Sequence, residues 1–207
     1  LPLRAPATIA TGLSDPRKLA IAADGSTAYV ANAGTFQILK VIFASGTVSV
    51  LAGSGTQGYA EGTGSSAQFY NPFGVALSAD GTTLYISDPD LYLTDKIRSI
   101  NLTSGATALF ASDTTQETMI FPAGIAVYNG SLYVAQSGLG TVHRWTISSP
   151  ANHGVFAGTS RFGSRDGTNP LFGRPHDLTM TLDGKTLYLA DNNHIRKIDR
   201  ATKTATP

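Results

Sequence analysis

A chain of 207 residues with 15 basic against 14 acidic side chains, and only 14% charged residues in all, has no net field to draw nucleic acid or an anionic membrane. Having no cysteine, it can form neither disulfides nor cysteine-based zinc sites, and no apolar run approaches the roughly 18 residues that a membrane-spanning helix needs. Its 22 glycines suit short strands joined by tight turns, and its start at Leu1 rather than at methionine suggests a processed chain or an excised segment.

Four stretches align on one another. They read LSDPRKLAIAADGSTAYVAN from Leu13, FYNPFGVALSADGTTLYISD from Phe69, IFPAGIAVYNGSLYVAQ from Ile120 and FGRPHDLTMTLDGKTLYLAD from Phe172. Their prolines, Pro16, Pro72, Pro122 and Pro175, are 56, 50 and 53 residues apart, and their tyrosines, Tyr29, Tyr85, Tyr133 and Tyr188, are 56, 48 and 55 apart. Two independent markers thus give one period, with repeats at about 13–53, 69–111, 120–158 and 172–207 in a single domain spanning 1–207.

Each repeat resolves into strands. The first carries a turn at Asp24-Gly25, a strand through Ala28-Tyr29-Val30 and a last strand over 47–52. The second has Gly74-Val75-Ala76-Leu77, a turn at Asp80-Gly81, Leu84-Tyr85-Ile86, the alternating Lys96-Ile97-Arg98-Ser99-Ile100, and a strand over 106–110. The third turns at Asn129-Gly130 before Leu132-Tyr133-Val134 and ends through Gly154-Val155-Phe156-Ala157. The fourth turns at Asp183-Gly184, continues as Leu187-Tyr188-Leu189 and Ile195-Arg196-Lys197-Ile198, and starts a last strand at Thr202 that stops at Pro207. Asp-Gly and Asn-Gly supply the positive φ of tight hairpins, and aromatic and branched residues fit a pleated surface. The alternating third strands are expected to set one face inward and one in water. Four antiparallel strands per unit predict an all-β fold, a β-propeller of four-stranded blades.

Four blades are few for a closed ring, because each blade buries its faces only against neighbours. Ala7-Thr8-Ile9-Ala10 reads as an outer strand donated to another blade, which together with the unfinished last strand points to part of a larger propeller or assembly.

The repeats resemble the NHL family, named for an Asn-His-Leu signature that Asn193-His194-Ile195 nearly matches. Pro72-Phe73-Gly74-Val75-Ala76 and Ile195-Arg196-Lys197-Ile198 are similar to further family elements, and the resemblance runs from Leu13 to about Thr204. It implies that the residue after each proline, Arg17, Phe73, Ala123 and His176, lies near the central channel. Arg174-Pro175-His176-Asp177 also resembles the zinc-binding Pro-His sequence of the propeller lyase that completes peptide amidation. Zinc needs about three converging ligands, and the matching residues here are Arg, Phe and Ala. Asp88 and Asp191, with Asn32 and Gln136 in register, suggest either calcium ligands of a lactonase-like propeller or caps for the turns that follow. His143, His153 and His194 are expected at the surface.

The role expected from these features is a non-catalytic, protein-binding or structural scaffold without a cofactor. Its contacts would be the rim residues Arg17, Phe73, His176 and Asp177 and loop residues Tyr59 and Arg165, with Phe69, Tyr70, Tyr92 and Phe162 as further exposed aromatics. The partner would be another protein or other copies of the chain, not nucleic acid. The alternative is a metal-dependent enzyme, a lactonase-like hydrolase or amidating-type lyase using zinc or calcium, centred on His176 with Asp177 and Asp88. The acceptor patterns Asn101-Leu102-Thr103 and Asn129-Gly130-Ser131 predict N-glycosylation and an extracellular or cell-surface setting.

Overall fold

In a computed structural model, which describes residues 7–90, 94–113 and 119–207, the chain is an all-β propeller of four blades. Leu1 and Tyr92 lie outside the described residues. Blade 1 comprises β1 (Pro16–Ile21), β2 (Thr27–Asn32), β3 (Gln37–Ile42) and β4 (Thr47–Ala52). A two-residue strand, β5 (Gly62–Thr63), joins the outer edge of blade 2, which comprises β6 (Val75–Leu77), β7 (Thr83–Asp88), β8 (Lys96–Asn101) and β9 (Ala106–Ser112). Blade 3 comprises β10 (Pro122–Tyr128), β11 (Ser131–Gln136), β12 (Thr141–Thr146) and β13 (Ser149–Gly158). Blade 4 comprises β14 (Pro175–Met180), β15 (Thr186–Asp191), β16 (His194–Asp199) and β17 (Ala205–Thr206). Every blade is an antiparallel meander.

The hairpins follow from their turn residues. Asn129 and Gly130 hold φ of 45° and 69°, the two positive values that match a tight turn to the twist of its strands. In the other blades the Asp side chain of the Asp-Gly turn accepts the N–H of Ser26, Thr82 or Lys185 at 2.9, 3.1 and 3.0 Å.

Successive side chains on a strand point to opposite faces, so each blade has a forward face toward the next blade and a back face toward the previous one. Ala31, Ile38 and Ala52 pack on Val75, Leu84 and Ile86. Tyr85 and Ile97 pack on Ile125, Leu132 and Trp145. Tyr133, Val142 and Phe156 pack on Leu178, Leu187 and Ile198. Each Val, Leu, Ile or Phe among them contributes about 1.5–3 kcal/mol by leaving water. The third strands β3, β8 and β12 therefore have two covered faces rather than one in water, whereas β16 of blade 4 keeps one face in water as expected, and Arg98 and Arg196 are buried. Inner strands approach so closely that a Cβ on Gly74 would press on the Ala123 carbonyl and lie 2.9 Å from Ser87 Oγ.

Residues 7–10 form no strand, and among the described residues no other blade pairs with them. Instead Ala10 and Leu13 pack on the back face of their own blade 1, against the cluster of Ala28, Val30, Leu39 and Val41. An apolar segment with a bare apolar sheet beside it gains more by covering that sheet than by pairing at a distant edge.

The residue closing each second strand is buried and holds a backbone segment. Asn32 Oδ1 accepts the N–H of Ser14 (2.8 Å), and Asp88 accepts those of Tyr70 (3.0 Å) and Asn71 (2.7 Å). Gln136 Oε1 accepts that of Ile120 (3.2 Å), and Asp191 accepts those of Gly173 and Arg174 (both 2.8 Å). The capped segment is thus the one entering the innermost strand of the same blade, not the turn that follows. In blades 2 and 4 a buried arginine extends this cap. Arg98 lies 3.6 Å from Asp88 and donates to the carbonyls of Gln68 and Ala60, both at 3.1 Å. Arg196 donates to Asp191 (2.9 Å) and Ser164 Oγ (2.7 Å) and pairs with Asp166. The long connections that precede blades 2 and 4, residues 53–74 and 159–174, are tied down in this way. Blades 1 and 3 have Leu39 and His143 at the arginine position, and their caps are the neutral Asn32 and Gln136. Burial pushes Asp88 up to about 7, opposed by the amides of Asn71 and Tyr70 and by Arg98.

The blade 1 combination predicts the outcome of a double-mutant cycle in blade 2. Arg98→Leu alone is expected to cost about 3 kcal/mol, since it strands a buried carboxylate. Adding Asp88→Asn should make the pair more stable than the sum of the single changes by about 1 kcal/mol or more, measured by urea unfolding. Simple additivity would contradict the charge-matched cap.

Candidate binding surface at the channel rim

The inner strands bring the post-proline residues to one mouth of the channel. The Arg17 guanidinium lies 4.9 Å from the ring centre of Phe73 and pairs with Asp15 at 3.1 Å. Phe73 meets Phe121 edge-on at 5.9 Å. Ala123, the expected blade 3 representative, is 0% exposed and contributes nothing to the rim. Phe121 takes its place. It is held with φ of 49° by an N–H bond to Asp95 (2.8 Å), and its carbonyl accepts the N–H of Ser137 (3.1 Å). Its left-handed backbone is a conformation that a bulky side chain rarely adopts, and sequence alone gives no sign of it.

Phe121, Phe162, Arg174 and His176 then surround a recess of about 300 Å³ floored by Ser137 and Gly138. Ser137 Oγ donates to the Pro175 carbonyl at 2.7 Å and so fixes the two sides of the recess relative to each other. Phe162 is 60% exposed, and Arg174 and His176 face solvent. A continuous aromatic and basic belt therefore runs from blade 1 to blade 4. Arg174 and Phe121 are the members that the repeat alignment does not single out.

Asp177 is not part of the belt. It pairs with Lys18, whose ammonium also reaches the carbonyls of Leu178 (3.2 Å) and Ile125 (3.4 Å), so these two residues bridge blades 1, 3 and 4 across the axis. Lys18 and Asp177 occupy the register held by Gly74 and Gly124 in the middle blades.

The loop candidates divide. Tyr59 is half-buried, stacked on Tyr70 at 5.4 Å with the Lys96 ammonium 3.5 Å above its ring, and burial pushes its hydroxyl up and out of titration. Phe69, expected at the surface, is 0% exposed because it lies beneath Arg98 between blades 1 and 2. Arg165 is exposed and donates to the Asn169 carbonyl at 2.8 Å. Asn101 and Asn129 sit on exposed turns, where Asn101 Oδ1 accepts the N–H groups of Thr103 (3.0 Å) and Ser104 (2.9 Å).

Among the described residues, no three His, Asp or Glu side chains lie close enough together to hold a metal ion. Asp88 and Asp191, weighed as calcium ligands, are buried and turn their oxygens onto backbone amides. His153 and His194 are exposed as expected, but His143 is buried. It occupies the Arg98 register and packs 5.6 Å from the Trp145 ring, whose other neighbour, His153, stacks at 5.4 Å.

Comparisons place this geometry among propellers. No family model matches the chain, and no curated protein matches it. Solved structures do match. A chain in a nidogen/laminin complex is 17% identical with a TM-score of 0.72, over 94% of this chain and 63% of that one. A structural-genomics protein of unknown function from Bacteroides thetaiotaomicron is 18% identical with a TM-score of 0.71, over 93% and 47%. Hydrazine synthase of Kuenenia stuttgartiensis is 16% identical with a TM-score of 0.61, over 97% and 50%. The chain is a β-propeller by fold, and it spans about half to two thirds of the length of these solved chains.

Burial, with a smaller contribution from His153, pushes His143 down to about 4. The unfolded chain then takes up the proton first, at about 6.5, so stability is complete above that pH and is lost as pH falls from 6.5 toward 4. A loss of roughly 2–4 kcal/mol over that window is expected for the wild type relative to His143→Leu, the residue of blade 1. Parallel pH profiles of unfolding for the two proteins would contradict a neutral, buried His143.

Proposed function

We propose that the chain is a non-catalytic scaffold that captures a protein partner on the channel rim. The observation that carries this is the continuous belt from Arg17 through Phe73 and Phe121 to Arg174 and His176. Aromatic and arginine side chains are the groups that anchor protein interfaces, and here they sit on the inner strands (Arg17, His176) or one or two residues before them (Phe73, Phe121, Arg174), in segments whose entries are capped. Arg17, Arg174 and His176, with Asp15 paired to Arg17 and Asp177 to Lys18, suit a partner segment that presents acidic and apolar side chains. A matching fold in a nidogen/laminin complex supports protein capture as a use for such a propeller. An extracellular setting belongs to the same proposal, supported by the exposed turns that carry Asn101 and Asn129.

The test uses the partner that the immobilised wild-type chain retains, measured by calorimetric titration. A rim anchor is worth about 2 kcal/mol or more, so Phe73→Ala and Phe121→Ala should each weaken binding about 30-fold while the chain stays folded. Unchanged affinity in both would overturn the proposal. So would stoichiometric zinc or calcium in the purified protein that disappears in His176→Ala, since that would place a metal centre at the rim.

A further inference from the structure

The recess between blades 3 and 4 combines features that blade packing does not call for. Phe121 is held at φ of 49°, an angle that a bulky side chain rarely adopts, and its N–H bond to Asp95 at 2.8 Å keeps it there. Backbone held against its preference by its surroundings is characteristic of ligand clamps. Phe162 is 60% exposed, yet it is seated: Gly140, itself at φ of 66°, lies so close that an added Cβ would stand 3.3 Å from the ring. Two phenyl rings thus border one space of about 300 Å³.

The same space holds a fixed charge with no partner. Arg174 is rooted by its N–H bond to the buried Asp191 at 2.8 Å, and it lines the recess beside His176. Among the described residues its guanidinium forms no ion pair. Asp191 is taken up by the amides of Gly173 and Arg174 and by Arg196, and Asp177 pairs with Lys18. The other rim arginine, Arg17, has Asp15 as its partner.

We infer that this recess receives a single aromatic side chain with a carboxylate beside it, the ring between Phe121 and Phe162 and the carboxylate on Arg174, with His176 as a further donor. The inference rests on the reading of the rim as a capture surface and names the group that is captured. A volume of about 300 Å³ is at the lower end of the roughly 300–1,000 Å³ of small-ligand sites, which admits one ring with its carboxylate and not a longer segment. One guanidinium matches one carboxylate in charge and in its paired N–H donors, whereas a phosphate would bring more negative charge than the recess has cations to meet. Aromatic walls favour an aromatic guest over an aliphatic one of similar area. A chain terminus at an aromatic residue and an acidic residue next to an aromatic one both present this pair of groups, and short peptides separate them.

The test follows the amide signals of Gly138, Phe162, Arg174 and His176 in proton–nitrogen correlation spectra of the full chain. The probes are acetylated Gly-Gly-Phe with a free carboxylate, the same peptide as its amide, and acetylated Gly-Phe-Asp-Gly as its amide. The free-carboxylate peptide, the Asp peptide or both should bind about 10-fold more tightly than the plain amide. The tighter of the two assigns the carboxylate to a chain terminus or to an internal acid. Leu in place of Phe in that peptide should weaken binding about threefold. Arg174→Gln should bring acid and amide to the same affinity. Phe162→Ala should remove the preference for Phe over Leu and keep that for acid over amide. Both positions are exposed, and unchanged far-ultraviolet circular dichroism verifies the fold of each variant. Equal binding of acid and amide by the wild type, discrimination that survives Arg174→Gln, or no shift of these amides at millimolar peptide overturns the inference. If it fails while Phe73→Ala still weakens the captured partner, the rim stands as a capture surface and only its recess chemistry falls. Peptide binding as expected, with partner affinity unchanged in Phe73→Ala and Phe121→Ala, upholds the recess and removes the wider reading of the rim.

Discussion

A propeller blade can be covered by its neighbours only if its innermost strand enters at a fixed height, and in this chain a buried side chain that accepts one or two backbone amides holds that entry in every blade. The side chain closing the second strand accepts the amide of the segment leading into the first: Asn32 from Ser14, Asp88 from Asn71, Gln136 from Ile120, Asp191 from Arg174. A buried acceptor or amide left without its partner costs about 1–3 kcal/mol, so each cap favours one path of the chain over its alternatives. The capped residues lie one to three positions before Arg17, Phe73, Phe121 and His176. The device that aligns the blades for packing therefore also places the side chains of the rim. Fold and candidate site share one constraint.

The two kinds of cap reflect how much chain each must hold. Blades 2 and 4 follow long connections, and there the carboxylate works with a buried arginine whose terminal nitrogens reach the backbone or side chains of that connection. Blades 1 and 3 use an uncharged amide and keep a leucine or a neutral histidine at the arginine position. Carboxylate with guanidinium and amide with neutral partner are the two combinations that avoid an unpaired charge in a dry interior.

Much of this was legible in the sequence because a repeat exposes the same decision four times. The proline and tyrosine spacings located every blade, and Asp-Gly and Asn-Gly located the hairpins. What stayed hidden depended on packing between repeats. Alternation in Lys96-Ile97-Arg98 looks the same whether one face or both are covered, so the burial of Arg98 was not readable. The pairing of Asp88 with Arg98 and of Asp191 with Arg196, against Asn32 with Leu39, was a correlated signal that the alignment contained. His143 shares a register with those arginines, so its burial was hidden for the same reason and it was expected at the surface. Phe121 could not be found from spacing, because its place at the rim comes from an unusual backbone angle rather than from its position in the repeat. Ala123 failed as a rim residue for the complementary reason: the post-proline position lies near the axis in every blade, but a methyl group there is covered by neighbouring strands.

The most direct measurement of the central constraint is amide hydrogen exchange in the native protein, read at Tyr70, Asn71, Gly173 and Arg174. These residues lie outside regular strands, and their N–H groups are held by side chains rather than by a ladder. Their protection should be as strong as that of β7 and β15, because freeing these amides requires the blade to open. Exchange at the rate of an exposed loop, with the neighbouring strands still protected, would contradict it.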